Sequence, residues 1–198
     1  MINLFTTTYV KMLFILSPFF VISVFLSISR NIKEKERKVI VFKATGIVLA
    51  LAVILLVFGG HVLALFGVTL DSFRIGAGII LFLAGLDLVR GRRMLPTEEQ
   101  SEDISIVPLA IPVIFGPSVT GALLVFAAEY DIVWMRLTVI AAVSTAVFTL
   151  AGLLLMSNTI ERLMGSYILT VLSKISGLMI SSLAAEMVAT GIRNAINC

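Results

Sequence analysis

Apolar residues in this chain gather into runs of about 20, the length a helix needs to cross about 30 Å of hydrocarbon, separated by short polar connections. The runs predict six helices at about 4–29, 40–66, 70–89, 105–129, 136–157 and 167–192. Six crossings use about 120 residues and leave no room for a separate soluble domain. The expected fold is all-α: a polytopic membrane protein forming a single transmembrane domain over residues 1–198. The first run reads as a retained helix rather than a cleaved leader. It opens on Thr6, Thr7 and Thr8 with no basic segment before it, and closes with FLSISR rather than a small-residue cleavage pattern.

Two of the runs are interrupted by proline. Ser17-Pro18 sits inside KMLFILSPFFVISVFLS, and Gly116-Pro117 sits inside IVPLAIPVIFGPSVTGALLV. Proline has no N–H and clashes with the carbonyl four residues back. In a bilayer the freed backbone groups must be satisfied by protein, water or a ligand. The two prolines are 99 positions apart, and the same shift places Arg37 on Arg136, Gly78 on Gly177 and Asp87 on Glu186. The matches describe two three-helix repeats, at about 1–95 and 104–198, with helices 1 and 4 broken. Three is odd, so the second repeat enters the bilayer from the opposite side, giving an inverted-topology repeat. Chance alignment of apolar sequence is the competing explanation.

At each break a new half-helix begins. Ser17 is placed to be an N-cap and Pro18 a first helical residue, with Gly116 and Pro117 in the equivalent positions. Pro108 and Pro112 loosen the turns before the second break. Two opposed helix N-termini would offer unpaired N–H groups and partial positive charge near the midplane, suited to a carboxylate. Ser118 and Thr120 add hydroxyls after the second break, as Ser23 and Ser27 do after the first. The plainer reading is a pair of kinked helices patched by serine and water.

Composition agrees with the pattern. The chain is 59% hydrophobic and 14% charged, with a mean hydropathy of +1.11. The net charge of +3 does not point to nucleic acid, because six of the 15 basic residues crowd one connection: Arg30, Lys33, Lys35, Arg37, Lys38 and Lys43. Arg90, Arg92 and Arg93 follow helix 3. Basic connections face the cytoplasm, so loops 30–43 and 90–104 are expected inside and both termini outside. The acidic run Glu98, Glu99, Glu102 and Asp103 reads as a solvated linker.

One histidine and one cysteine, the terminal Cys198, leave no disulfide and no plausible metal site built on those residues. No phosphate-binding glycine loop, HExxH or GxSxG motif is present, so neither an enzyme nor a cofactor is expected. Ionisable groups inside spans tend to be functional. Glu186, on one face with Ser182 and Thr190, and Asp87, close to Arg90, are the candidates to carry a coupling proton, or simply anchor their helices. Asp71 and Arg74 read as a local pair, Lys11 as snorkelling outward, and His61 as structural. Small residues at Ser173, Gly177, Ser181 and Ala185, and at Gly76, Gly78 and Gly85, read as helix-packing strips.

Three stretches carry a family resemblance. IVPLAIPVIFGPSVTGALLV (Ile106–Val125) is similar to the helix-4 signature of the MarC family, and DSFRIGAGIILFLAGLDLV (Asp71–Val89) to its third helix. SPFFVISVFLSIS corresponds to the family's Asn-Pro-Ile-Gly helix. The resemblance implies a six-helix bacterial inner-membrane protein, with relatives in the SnatA branch described as transporters of small neutral amino acids, near the LysE group of exporters. Here Ser17-Pro18 stands for the family's Asn-Pro, Phe19-Phe20 for Ile-Gly, and Ser118-Val119 for Gly-Ala, which changes the size and hydrogen bonding of any pocket.

The expected function is a secondary transporter exporting a small metabolite such as a neutral amino acid. Ser17, Pro18, Gly116, Pro117, Ser118 and Thr120 would bind it, and Glu186 or Asp87 would couple a proton. The expected partners are that substrate, a coupling proton or sodium ion, lipid, and a second copy in a homo-oligomer. The alternative is a non-transporting membrane scaffold whose small-residue strips are subunit interfaces.

Overall fold

A computed structural model describes residues 1–29, 32–91, 109–110, 113–130 and 132–197. Among them are seven helices and no strand: α1 (Ile2–Leu16), α2 (Pro18–Ile28), α3 (Glu34–Leu65), α4 (Leu70–Arg90), α5 (Pro117–Glu129), α6 (Val133–Leu155) and α7 (Ser157–Asn197). Together α1 and α2 make one span, Ile2–Ile28, and α3, α4, α6 and α7 are each long and apolar enough to cross a membrane. The thirteen residues of α5 make a shorter apolar helix. Arg30, Arg92, Arg93, Glu98, Glu99, Glu102, Asp103, Pro108, Pro112 and Cys198 lie outside the described residues.

Helix ends follow local chemistry. α3 begins six residues earlier than its apolar run, because Glu34 pairs with Lys38 at 3.1 Å across one turn and Glu34 and Glu36 favour the positive end. At 32 residues it is about 48 Å long, so its charged start extends beyond the hydrocarbon. The Thr69 side chain caps α4 by accepting from the Ser72 N–H at 3.2 Å, and Gly91 ends it in a left-handed conformation. α7 starts ten residues before the expected span and turns sharply at Gly165, at φ 74 and ψ 159.

Two faces follow from the up-and-down order. The Thr138 hydroxyl donates to Met1 Sδ at 3.6 Å, and Asn194 Nδ2 donates to Asp71 Oδ1 at 3.0 Å. These contacts put both chain ends and the starts of α4 and α6 on one face, called here the termini face. On the opposite face Arg37 donates to Asn158 Oδ1 at 2.7 Å, joining the starts of α3 and α7. Large apolar side chains such as Phe42, Phe58, Phe82, Trp134, Phe148 and Leu178 are exposed, as expected of a lipid-facing surface.

Helix packing has an internal order. α4 lies along α7, and α3 meets α6; α2 meets α6 as α5 meets α3, and α2 meets α7 as α5 meets α4. Exchanging α2 for α5, α3 for α6 and α4 for α7 leaves this set unchanged. A Cβ added to Gly78 would meet Ala184, Met187 and Val188, and one added to Gly177 would meet Gly85, Leu88 and Val89. Residues 85, 88 and 89 advanced by 99 are 184, 187 and 188, so the two glycines have equivalent surroundings. Of the expected small-residue strips, Gly78, Gly85, Gly177 and Ser181 do form the close α4–α7 contact, joined by Gly191 against Asp71 and Ile75. Gly76 faces open space, and Ala185 is exposed while its neighbour Ala184 is buried.

Candidate functional site

Both interruptions are real, and they differ. Ser17 adopts a left-handed conformation at φ 47 and ψ 62, the sole non-glycine residue at positive φ among those described. Its N–H and its hydroxyl both bond to the Phe14 carbonyl, at 2.9 and 3.1 Å. It sits at the N-cap position of α2, but its hydroxyl closes α1 instead, so no side chain caps α2. The left-handed turn aims the side chain backward, whereas an extended residue would have faced the following N–H groups.

At the second break Phe115 N–H reaches back five residues to the Ala110 carbonyl at 2.8 Å, a widened turn. Gly116 is extended, at φ −88 and ψ 178, and Pro117 begins α5. No side chain caps α5 either. The Thr120 hydroxyl donates to the Gly116 carbonyl at 3.1 Å, within its own helix.

The two breaks meet. Ser17, Gly116, Pro117 and Ser118 line one cavity of about 120 Å³ together with Asp87. Its walls are otherwise mostly apolar, among them Ile15, Phe20, Leu88, Val119 and Ile180. Apolar walls with a few placed polar groups are the usual composition of a small-molecule site. Phe20 takes up room in this cavity. The Asp87 carboxylate has no hydrogen-bond or ion-pair partner among the described residues, and it stands toward the face away from the termini.

Not every expected residue joins this cavity. Pro18 and Thr120 are not among its lining residues. Glu186 lines a second cavity of about 170 Å³ with Lys11, Arg74, Glu129 and Thr190, nearer the termini face. Ser23 and Ser27 line a third, of about 500 Å³, with Arg37, Glu161, Ser166 and Thr170.

One group escaped sequence reasoning. Arg74 does pair with Asp71 at 3.1 Å, but its other terminal nitrogen reaches Glu129 on α5, also at 3.1 Å. Asp71 in turn accepts from Asn194 on α7. Next to Glu129, the Tyr130 phenol titrates above its ordinary value, first because it is partly buried and then because of the Glu129 charge and hydrogen bond. Glu129 is the last residue of its helix, so no spacing within one helix pointed to this contact.

The description "MarC family integral membrane protein" matches residues 2–196. A UPF0056 membrane protein of Methanocaldococcus jannaschii is 31% identical over 190 residues, covering 92% of each chain. One from Aquifex aeolicus is 25% identical over 199 residues, covering 96% of this chain and 93% of its own. YhcE of Escherichia coli is 26% identical over 189 residues, covering 90% and 87%. No solved structure is a significant match.

Proposed function

The chain belongs to the MarC family of integral membrane proteins, and from that premise we propose that it is a secondary transporter exporting a small metabolite such as a neutral amino acid. One observation carries the reading: two uncapped, proline-started helix N-termini open onto a single cavity. We read the chain as two inverted three-helix repeats, a reading supported by the equivalent surroundings of Gly78 and Gly177. On this reading the termini face is extracytoplasmic and the membrane is a bacterial inner membrane.

Size and strength both fit a small cargo. An apolar cavity of about 150 Å³ holds benzene, with six heavy atoms. A volume of about 120 Å³ therefore suits a molecule the size of glycine or alanine. Each helix N-terminus contributes at most about 2 kcal/mol toward an anion, so two of them give about 4 kcal/mol, or roughly millimolar binding. Weak binding favours release, which a transporter needs. The carboxylate would lie at the N–H groups of α2 and α5, oriented by Ser118. Asp87, in the same cavity, is better placed than Glu186 to exchange a coupling proton with the bound state.

The test is reconstitution into vesicles with labelled alanine, glycine and serine under a proton or sodium gradient. Gradient-dependent movement of one of these is expected, with a loss of at least tenfold in Pro117→Ala combined with Ser118→Val. Movement of none of the three, or transport indifferent to that double substitution, would reject the assignment.

A further inference from the structure

Ile15, only 7% exposed, is the one residue among those described that lines both the cavity at the breaks and the second cavity nearer the termini face. Ile15 thus stands between the first cavity and the second, which lies toward the termini face. Lining the second is Arg74, whose side chain is 12% exposed, bonded to Asp71 and Glu129. With Asn194 holding Asp71, the cluster ties α4, α5 and α7 together at that end. Parting these helices requires breaking Arg74–Glu129 or Asp71–Asn194.

The cluster is also one-sided. The 99-residue shift carries Asp71 and Arg74 to Thr170 and Ser173, which have no charge. Their hydroxyls are engaged within α7, on the Ser166 carbonyl at 2.9 Å and the Leu169 carbonyl at 2.8 Å. The counterpart of Glu129 is Arg30, outside the described residues. The packing of α4 on α7 is thus repeated at both ends, while the Asp71–Arg74 pair belongs to the termini end alone.

We propose that the Arg74–Asp71–Glu129–Asn194 cluster is a gate that holds the termini face closed in this conformation. The inference rests on the reading of the chain as a transporter, but its test needs no substrate. In the full chain with Cys198→Ser, Val125→Cys places one thiol in the second cavity, where Val125 is 4% exposed. Labelling by a membrane-impermeant maleimide is followed in right-side-out and inverted vesicles. The Cys198→Ser chain carrying Ile196→Cys instead, at a side chain 77% exposed near the end of α7, identifies which preparation presents the termini face.

With the gate intact, Val125→Cys is expected to react slowly from both sides. Adding Glu129→Gln, or the milder Asn194→Ala, is expected to accelerate labelling at least tenfold from the termini face alone. Unchanged labelling in both variants, each verified as folded by its elution profile, would overturn the gate. So would equal acceleration from both faces, which reports general loosening. Failure to move amino acids with this labelling pattern intact would reject the transport assignment and leave the gate standing.

Discussion

One methyl group separates opposite outcomes at three glycines. A Cβ on Gly177 would lie 2.7 Å from the Gly85 carbonyl and 3.0 Å from the Val89 nitrogen, both backbone atoms that cannot turn aside. On Gly78 the nearest obstacle, at 2.7 Å, is a Val188 side-chain carbon, which can shift, and the nearest backbone atom, the Ala184 oxygen, is farther off at 3.0 Å. Gly46 has nothing within 4 Å. Overpacking costs about 1–3 kcal/mol, so Gly177→Ala should unfold at the lowest temperature in detergent and Gly78→Ala at a higher one. Gly46→Ala should gain about 0.5–1 kcal/mol from helix propensity and unfold at the highest. Equal melting of Gly177→Ala and Gly46→Ala would refute the close contact. The importance of Gly78 and Gly177 was legible from their shared register, whereas Gly76, read into the same packing strip, faces open space. Direction around a helix depends on where its partner lies, and apolar spans carry little amphipathic signal to reveal it. Ser17 shows the same limit: its place before proline was legible, but the left-handed turn that sends its hydroxyl to Phe14 was not.

At the scale of elements, the unexpected feature is the turn in α7. Its 41 residues would reach about 60 Å if straight, twice the hydrocarbon thickness. Gly165 resolves the excess by turning the first eight residues aside on the face away from the termini. Its φ and ψ lie in a region open essentially to glycine alone, costing other residues about 1–3 kcal/mol. Gly165→Ala should therefore melt earlier than Gly152→Ala, whose glycine is helical with nothing within 4 Å. Spin labels at Lys38→Cys and Thr159→Cys should also give a broader distance distribution once Gly165 is replaced, as Arg37 and Asn158 lose their fixed geometry. An unchanged distribution would mean that the turn does not depend on glycine. The apolar run marked where α7 crosses, but not this extension, since SNTIERLM is polar enough to pass for a loop. The charged start of α3 was missed for the same reason: hydropathy locates lipid, not the end of a helix.

For the whole molecule, Asp87 offers the sharpest functional expectation. If it couples a proton to cargo movement, Asp87→Asn should abolish gradient-driven accumulation by at least tenfold while preserving exchange of labelled for unlabelled cargo. Loss of both would make Asp87 a binding or folding residue instead. The all-α plan of long apolar spans and the pairing of the two breaks were legible because crossing length and proline chemistry are local properties. The separation of Asp87 from Glu186 into different cavities was not, because it depends on how α4 and α7 meet α1 and α5. Toward the Asp87 end of α4, Gly85 and Gly177 bring α4 and α7 backbone to backbone, and that contact can serve as a lever. Arg74 is eleven residues from Gly85, an arm of about 16 Å, so a tilt of about ten degrees displaces it by about 3 Å. That displacement is comparable to the 3.1 Å reach of its bond to Glu129. Such a rotation about two glycines, with no helix unwinding, would part the ion pair while Asp87, two residues from Gly85, stays nearly in place.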